Sequence, residues 1–255
     1  IYEIAPKPPD QIFMTMNDKD ISLIKFNGLL TVHETVIHMF KSANLFESCF
    51  NAMSSKRYYQ YFFEYFTKLL HNPEIQANFY KTRAIDNLVE ALMKIRDFLE
   101  PSYLESLLNS YKTMMNIDGT QLKKDYMNSI WLNPNIFFGQ NYDVAVEYVN
   151  KYLMNFVENN EACFSLFFDE SRNFITFFQG LFTMNYDQAR NEELVDYIWV
   201  FLQQLFIQKH SYQLQFSFMK AMRDCTNKYF INTVIPFFHH CCDLHIVHTF
   251  TRSNV

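Results

Sequence analysis

The stretch NPEIQANFYKTRAIDNLVEAL, residues 72–92, is the one from which the fold of this chain is read. Asn72 can cap a helix, and Pro73 suits the first helical position, where its missing N–H would have no partner anyway. A short helix over 73–80 is predicted. After it, Ile85, Leu88, Val89, Leu92 and Ile95 recur at three- and four-residue intervals, which marks the apolar stripe of a second, longer helix. A short helix feeding a longer one across a brief polar turn is the pattern that the rest of the chain repeats.

Upstream, Lys56 to Leu70 is apolar nearly all round, with Tyr58, Tyr59, Phe62, Phe63, Tyr65 and Phe66 leaving no polar face. Such a helix belongs between neighbours. Ser54 and Ser55 offer it an N-cap, and His71-Asn72-Pro73 ends it. Residues 20–40 and 44–53 read as helical, with Gly28 a break. Residues 1–19, with Pro6, Pro8 and Pro9, read as an extended lead-in, and residues 20–255 as the helical domain. Downstream, Pro101 opens a helix carrying Leu104, Leu107, Leu108, Tyr111 and Met115, and Asp118-Gly119 signals a turn. A helix over 121–131 leads to Leu132-Asn133-Pro134-Asn135, an evident connection that places a sub-boundary near 133–142.

Helix periodicity restarts at Asp143, with Ala145, Val149, Tyr152, Leu153 and Phe156 on one face. Helices are further predicted over 161–168, 171–184, 191–208 (centred on Ile198, Val200, Phe201 and Leu205), 211–226 and 228–249, with Pro236 kinking or starting the last. No strand-like alternation bounded by hairpin turns occurs. Only 4 glycines punctuate the 255 residues, too few for the turns and phosphate loops of a parallel α/β enzyme. The class expected is all-α, and 28 Phe and 16 Tyr act mainly as core fillers.

A second copy of the opening pattern lies further on. Asn159-Asn160-Glu161 and Phe164, followed by Phe174, Phe177, Phe178 and Leu181, echo residues 72–92 with two residues inserted between the short and long helices. The interval, about 88 residues, spans about two repeats of the helix-pair kind. On these residues the chain resembles the armadillo and HEAT repeats. The resemblance covers about a fifth of the chain. It implies stacked antiparallel helix pairs forming an α-solenoid, because no such pair buries its apolar face alone. The compact alternative is an irregular helical bundle.

The motifs that carry chemistry fail on spacing. His33-Glu34-Thr-Val-Ile37-His38 sets its histidines five apart, so Ile37 occupies the position where a zinc-protease helix needs the second ligand. Neither a GxSxG elbow nor a Gly-rich phosphate loop is present. In the C-terminal run His239-His240-Cys241-Cys242-Asp243-Leu244-His245-Ile-Val-His248, helical spacing puts Cys241, His245 and His248 on one face, and these are candidate metal ligands. One helix does not surround a tetrahedral ion, and no CxxC or HxxxH pair supplies the other half, so buried thiols beside histidines are the simpler reading. The acid pairs Asp169-Glu170 and Glu192-Glu193 are expected in first helical turns, where the helix dipole favours them.

The net charge of −5 leaves the chain without the electrostatic footprint of a nucleic-acid binder. Charge is uneven: ten acids against three bases over 141–200, and a small positive excess over 56–96 and 201–255. Five scattered cysteines are no disulfide framework and fit a reducing compartment, cytoplasmic or nuclear. No run long enough to span a membrane and no signal peptide is read. The chain starts at Ile1, as a piece of something larger would. No cofactor is expected. The expected function is a non-catalytic scaffold that binds a partner protein or peptide along a helical-repeat surface. The register of the longer helices nominates Asn87, Glu90, Asn150, Lys151, Gln179, Gln203 and Gln204 for that surface. Two alternatives remain open: an accessory helical region of a larger multidomain enzyme or complex, and a bundle with an aromatic-lined ligand pocket.

Overall fold

The computed structural model of the protein describes residues 72–81, 83–102, 104, 124–158, 174–209 and 211–243. Every regular element among them is helical, as composition and periodicity required. Two compact units divide the chain, Ile1–Ile130 and Trp131–Val255. Among the described residues no helix is long and apolar enough to cross a membrane. The lead-in, the helices expected before residue 72, the turn at Asp118-Gly119 and the short helix over 161–168 lie outside the described residues.

In the first unit, α1 (Pro73–Lys81) and α2 (Ala84–Ile95) pack together. Asn72 caps α1 as its position suggested, its side-chain oxygen accepting from the amides of Glu74 at 2.9 Å and Ile75 at 3.3 Å. Between the helices Arg83 adopts φ 52°, a left-handed conformation that L residues rarely take. It lets the chain reverse within a very short turn. Ile75 and Phe79 of α1 are buried. On α2 the buried face is Ala84, Leu88, Ala91, Leu92 and Ile95, so the stripe is rotated from the one expected, and Ile85 and Val89 lie at its edge, half-exposed. Leu88 and Ile95 lie at the middle of that face, and Ala84 and Ala91 extend it on the side away from Val89.

The second unit opens on Leu132-Asn133-Pro134-Asn135. That connection is not fully irregular: Pro134 starts a single turn, α3 (Pro134–Phe137). A continuous helix follows from Tyr142. It is α-helical over α4 (Tyr142–Glu147), π-helical over Tyr148–Leu153 and α-helical again over α5 (Met154–Glu158). Asn141 caps it, accepting from the Asp143 amide at 3.1 Å. The π turn has a cause in the sequence. Apolar residues come in adjacent pairs every four residues: Val144-Ala145, Tyr148-Val149, Tyr152-Leu153 and Phe156-Val157, all buried. An α-helix advances each four-residue step by about 40° too far to hold those pairs in line. A π turn, at about 4.4 residues per turn, cancels the drift. Tyr126-Met127 and Ile130-Trp131 repeat the pattern, and there too the helix is π, over Met127–Trp131.

The remaining helices are α6 (Ile175–Leu181), α7 (Gln188–Gln208), α8 (Tyr212–Arg223) and α9 (Lys228–Asp243). α7 is the centre of the unit, packed against α4, the π turn and α5 and also against α9, while α6 packs on α3 and α8. Sandwiching explains why the buried positions of α7 cover so much of its circumference: Leu194, Val195, Ile198, Trp199, Phe201, Leu202, Leu205 and Phe206. Val200, expected at the core of this helix, is instead 51% exposed. α6 approaches α3 closely at Gly180, where a Cβ would stand 3.0 Å from Pro134 Cδ. Pro236 lies inside α9, on its exposed side, where water can serve the carbonyl that its ring leaves unbonded.

The aromatic residues form a filled core. Trp131 stacks on Phe137 and meets Tyr152 and Phe156, with ring centroids 5.6–6.0 Å apart, and Phe137 stacks on Tyr148 at 4.1 Å. The fully buried Tyr148 hydroxyl donates to the Trp131 carbonyl at 2.6 Å, satisfying a helix-end acceptor, and burial pushes its pKa well up. A second cluster centres on Phe218, which meets Phe178, Phe182, Trp199, Phe206, Phe237 and Phe238. Trp199 stacks on Phe237 at 4.3 Å and donates its indole N–H to Thr233 Oγ1 at 2.7 Å.

Candidate functional site

Three features of the second unit bear on function. The first is an open groove of about 590 Å³ between the segment after α6 and the turn from α8 to α9, lined by Thr183, Asn185, Asp224, Cys225, Asn227 and Tyr229 among others. Asn227 builds it. Its Oδ1 accepts from the Tyr229 amide at 3.0 Å, capping α9, while its Nδ2 donates to the carbonyls of Phe182 at 3.1 Å and Met184 at 3.3 Å. One side chain thus fixes both walls. The other end of the 182–187 segment is tied by Asn191, which accepts from the Tyr186 amide and donates to its carbonyl. Tyr186 itself donates to the Gly139 carbonyl at 2.9 Å. These bonds use up much of the polar lining in holding the groove's own shape. Cys225 is half-buried there, and burial raises its thiol pKa, which makes it a poor nucleophile.

The second feature is a carboxylate held by two phenols. Tyr142 donates to Glu193 Oε2 at 2.6 Å and Tyr197 to Glu193 Oε1 at 2.8 Å, and the Arg190 guanidinium lies 5.3 Å from the Tyr142 ring centre. The two hydrogen bonds hold the Glu193 pKa below the usual carboxylate range. Burial and the Glu193 bond raise that of Tyr142, and the Glu193 bond raises that of Tyr197. Glu192 and Glu193 are not first-turn acids as expected. The helix starts earlier, at Gln188, with Asp187 as its cap, and the pair falls in the second turn. Glu193 joins α4 to α7, and every partner in the cluster has a structural task.

The third feature is apolar surface. On α8, Tyr212, Phe216 and Met219 are 64%, 47% and 45% exposed, and Tyr212 stacks on Phe216 with ring centres 6.2 Å apart. The opposite side of the same helix buries Leu214, Phe218 and Ala221. Ile231 and Ile235 on α9, and Val200 and Ile207 on α7, are also exposed. A helix apolar on both sides is the signal that points to these residues: Tyr212, Phe216 and Met219 interleave with the buried set in the 211–226 segment. Sequence reasoning nominated none of them.

The nominated residues sit as follows. In the first unit, Asn87 is half-buried and Glu90 pairs with Lys94 at 2.8 Å. In the second, Asn150 is exposed, Lys151 pairs with Glu147 at 2.6 Å, Gln179 is exposed on the groove wall, and Gln203 and Gln204 are half-buried on α7. The structure brings Gln179 to the groove with Asn185, Asn191 and Asn227. Asn150 and Lys151 lie on the π turn, on a different helix from any of these. Cys241 is buried and His239 and His240 are exposed, while His245 and His248 fall outside the described residues. Among the described residues no three His, Cys, Asp or Glu side chains are grouped to hold a metal ion. No protein-family model matches the chain, and comparison with curated proteins and with solved structures returned no significant match.

Proposed function

We propose that this chain is a non-catalytic binding protein that engages a partner protein through the exposed helical surface of its second unit. The single observation that supports the reading most is the row Tyr212, Phe216 and Met219 on α8. Three large apolar side chains, two of them aromatic, stand in line on one helix face while the opposite face is packed into the core. Aromatic side chains and Met are enriched where proteins meet, and aligned exposed ones mark such places. Stacking of helix pairs in the armadillo or HEAT manner belongs to the same proposal, and the packing of the consecutive helices α1 and α2 is what supports it.

The test is affinity capture from the protein's own cell extract with two baits, the wild-type chain and a Tyr212→Ser/Phe216→Ser/Met219→Ser variant. A stoichiometric partner held by the first and lost by the second supports the reading, provided both baits show the same helical circular dichroism. Identical captures from the two baits would remove α8 from the interface and take the main support away.

A further inference from the structure

We infer that the occupant of the α8 face is an acidic amphipathic helix about three turns long. The inference rests on the binding reading above and adds the chemistry of the partner. Two observations carry it. The first is spacing. Tyr212, Phe216, Met219 and Arg223 follow one another at four, three and four residues along the 12-residue α8, the seam into which a second helix sets its side chains. α8 is about 18 Å long at 1.5 Å per residue, room for a helix of about the same length. Tyr212 and Phe216 already stack, so part of the ordering cost is met before binding.

The second observation is charge. From Lys209 to His240 the chain has one carboxylate, Asp224, against Lys209, Lys220, Arg223 and Lys228. Arg223 covers Asp224 with two hydrogen bonds, at 3.0 and 3.4 Å. α8 itself has no acid, and Lys220 stands exposed one residue beyond Met219. With Arg223 engaged by Asp224, the cation beside the apolar seam is Lys220, and it favours a partner whose apolar positions are flanked by Asp and Glu over a basic one. An anionic membrane fits less well. A helix lying in a membrane interface offers a broad apolar face, whereas on α8 Leu214, Phe218 and Ala221 are committed to the core and a single file, Tyr212, Phe216 and Met219, remains outside.

The experiment is selection of a random displayed peptide library, about 16 residues long, on the 255-residue chain, counter-selected on the Tyr212→Ser/Phe216→Ser/Met219→Ser variant. The expected consensus has apolar residues at i, i+4 and i+7 with Asp or Glu between them. A synthetic consensus peptide should bind the triple variant about thirtyfold or more weakly, as loss of an aromatic anchor does. It should bind Lys220→Glu severalfold more weakly than wild type and lose affinity as salt rises. A basic, Pro-rich or extended consensus would overturn the inference, as would the absence of enrichment over the variant. So would co-sedimentation of the chain with phosphatidylserine vesicles, or a concentration-dependent dimer abolished in the variant. If extract capture still depends on α8 in any of those cases, the binding reading stands and only the partner's chemistry is wrong.

Discussion

Phe218 is the residue on which the second unit's core is most exposed to test. Its ring lies within 6.3 Å, centre to centre, of six others, Phe178, Phe182, Trp199, Phe206, Phe237 and Phe238, and none of it reaches solvent. Phe218→Ala removes about 120 Å² of buried apolar surface, or about 3 kcal/mol at 25 cal/mol per Å². The cavity left among rings that cannot all move inward, with the lost edge-on ring contacts, raises the expected cost to about 4 kcal/mol. That is a large part of the 5–15 kcal/mol (about) that holds a domain together. Urea unfolding followed by tryptophan fluorescence measures it, since Trp199 stands 6.3 Å from the site. A shift in midpoint at unchanged m-value gives the free energy directly. A loss below about 1.5 kcal/mol at constant m would show that the cluster collapses onto the gap. The picture of a filled, close-packed aromatic core would then be wrong.

Other changes probe other parts of the argument. Phe201→Asp places a carboxylate where the side chain is fully buried against Phe177; it should cost at least about 4 kcal/mol and abolish the cooperative melt of the second unit. A wild-type-like thermal transition would refute the buried assignment of α7. Asn227→Ala removes the α9 cap and both bonds to the carbonyls of Phe182 and Met184, an expected loss of about 2 kcal/mol. Asn227→Ser, which keeps a cap but not the tether, should recover part of it in the same melt. The Glu193 pKa is depressed by the Tyr142 and Tyr197 bonds, so its contribution is present above the unfolded carboxylate value of about 4.3 and disappears as pH falls through the lower folded value. Stability measured from pH 6 down to pH 2 should therefore fall less steeply for Glu193→Gln; parallel curves would mean that the bracket is not populated in solution.

The helical class was legible because it is a property of whole windows: few glycines, no alternating strands and apolar residues three or four apart. Asn72 and Pro73 were legible as a helix start because capping is a local hydrogen-bond requirement that the residue types satisfy unaided. Faces were read less well. On α2 the buried side runs through Leu88 and Ile95 and extends to Ala84 and Ala91 rather than to Ile85 and Val89, a rotation that hydrophobicity alone does not choose. Val200 shows the same limit on α7: it is an apolar residue inside an apolar run, yet it stands on the exposed side of the helix. The groove was not legible, because Asn227 joins segments more than forty residues apart. Nor was the α8 row, whose residues look like core until Leu214 and Phe218 are seen to fill that role.

The π turn in the helix from Tyr142 carries a consequence for how this chain tolerates change in length. A π turn amounts to an α-helix with one residue too many, the surplus absorbed as a widened loop of backbone. Excising a single exposed residue there, Asn150 for instance, would allow the ladder to close as ordinary α-helix. Three α steps of about 100° carry the chain nearly as far round as four π steps of about 82°, so Tyr152-Leu153 and Phe156-Val157 would stay within about 30° of their present bearing on Tyr148-Val149. The same excision from α4 or α5 would turn one end of the helix about 100° against the other. The π turn is therefore the place where this helix tolerates the loss of a residue.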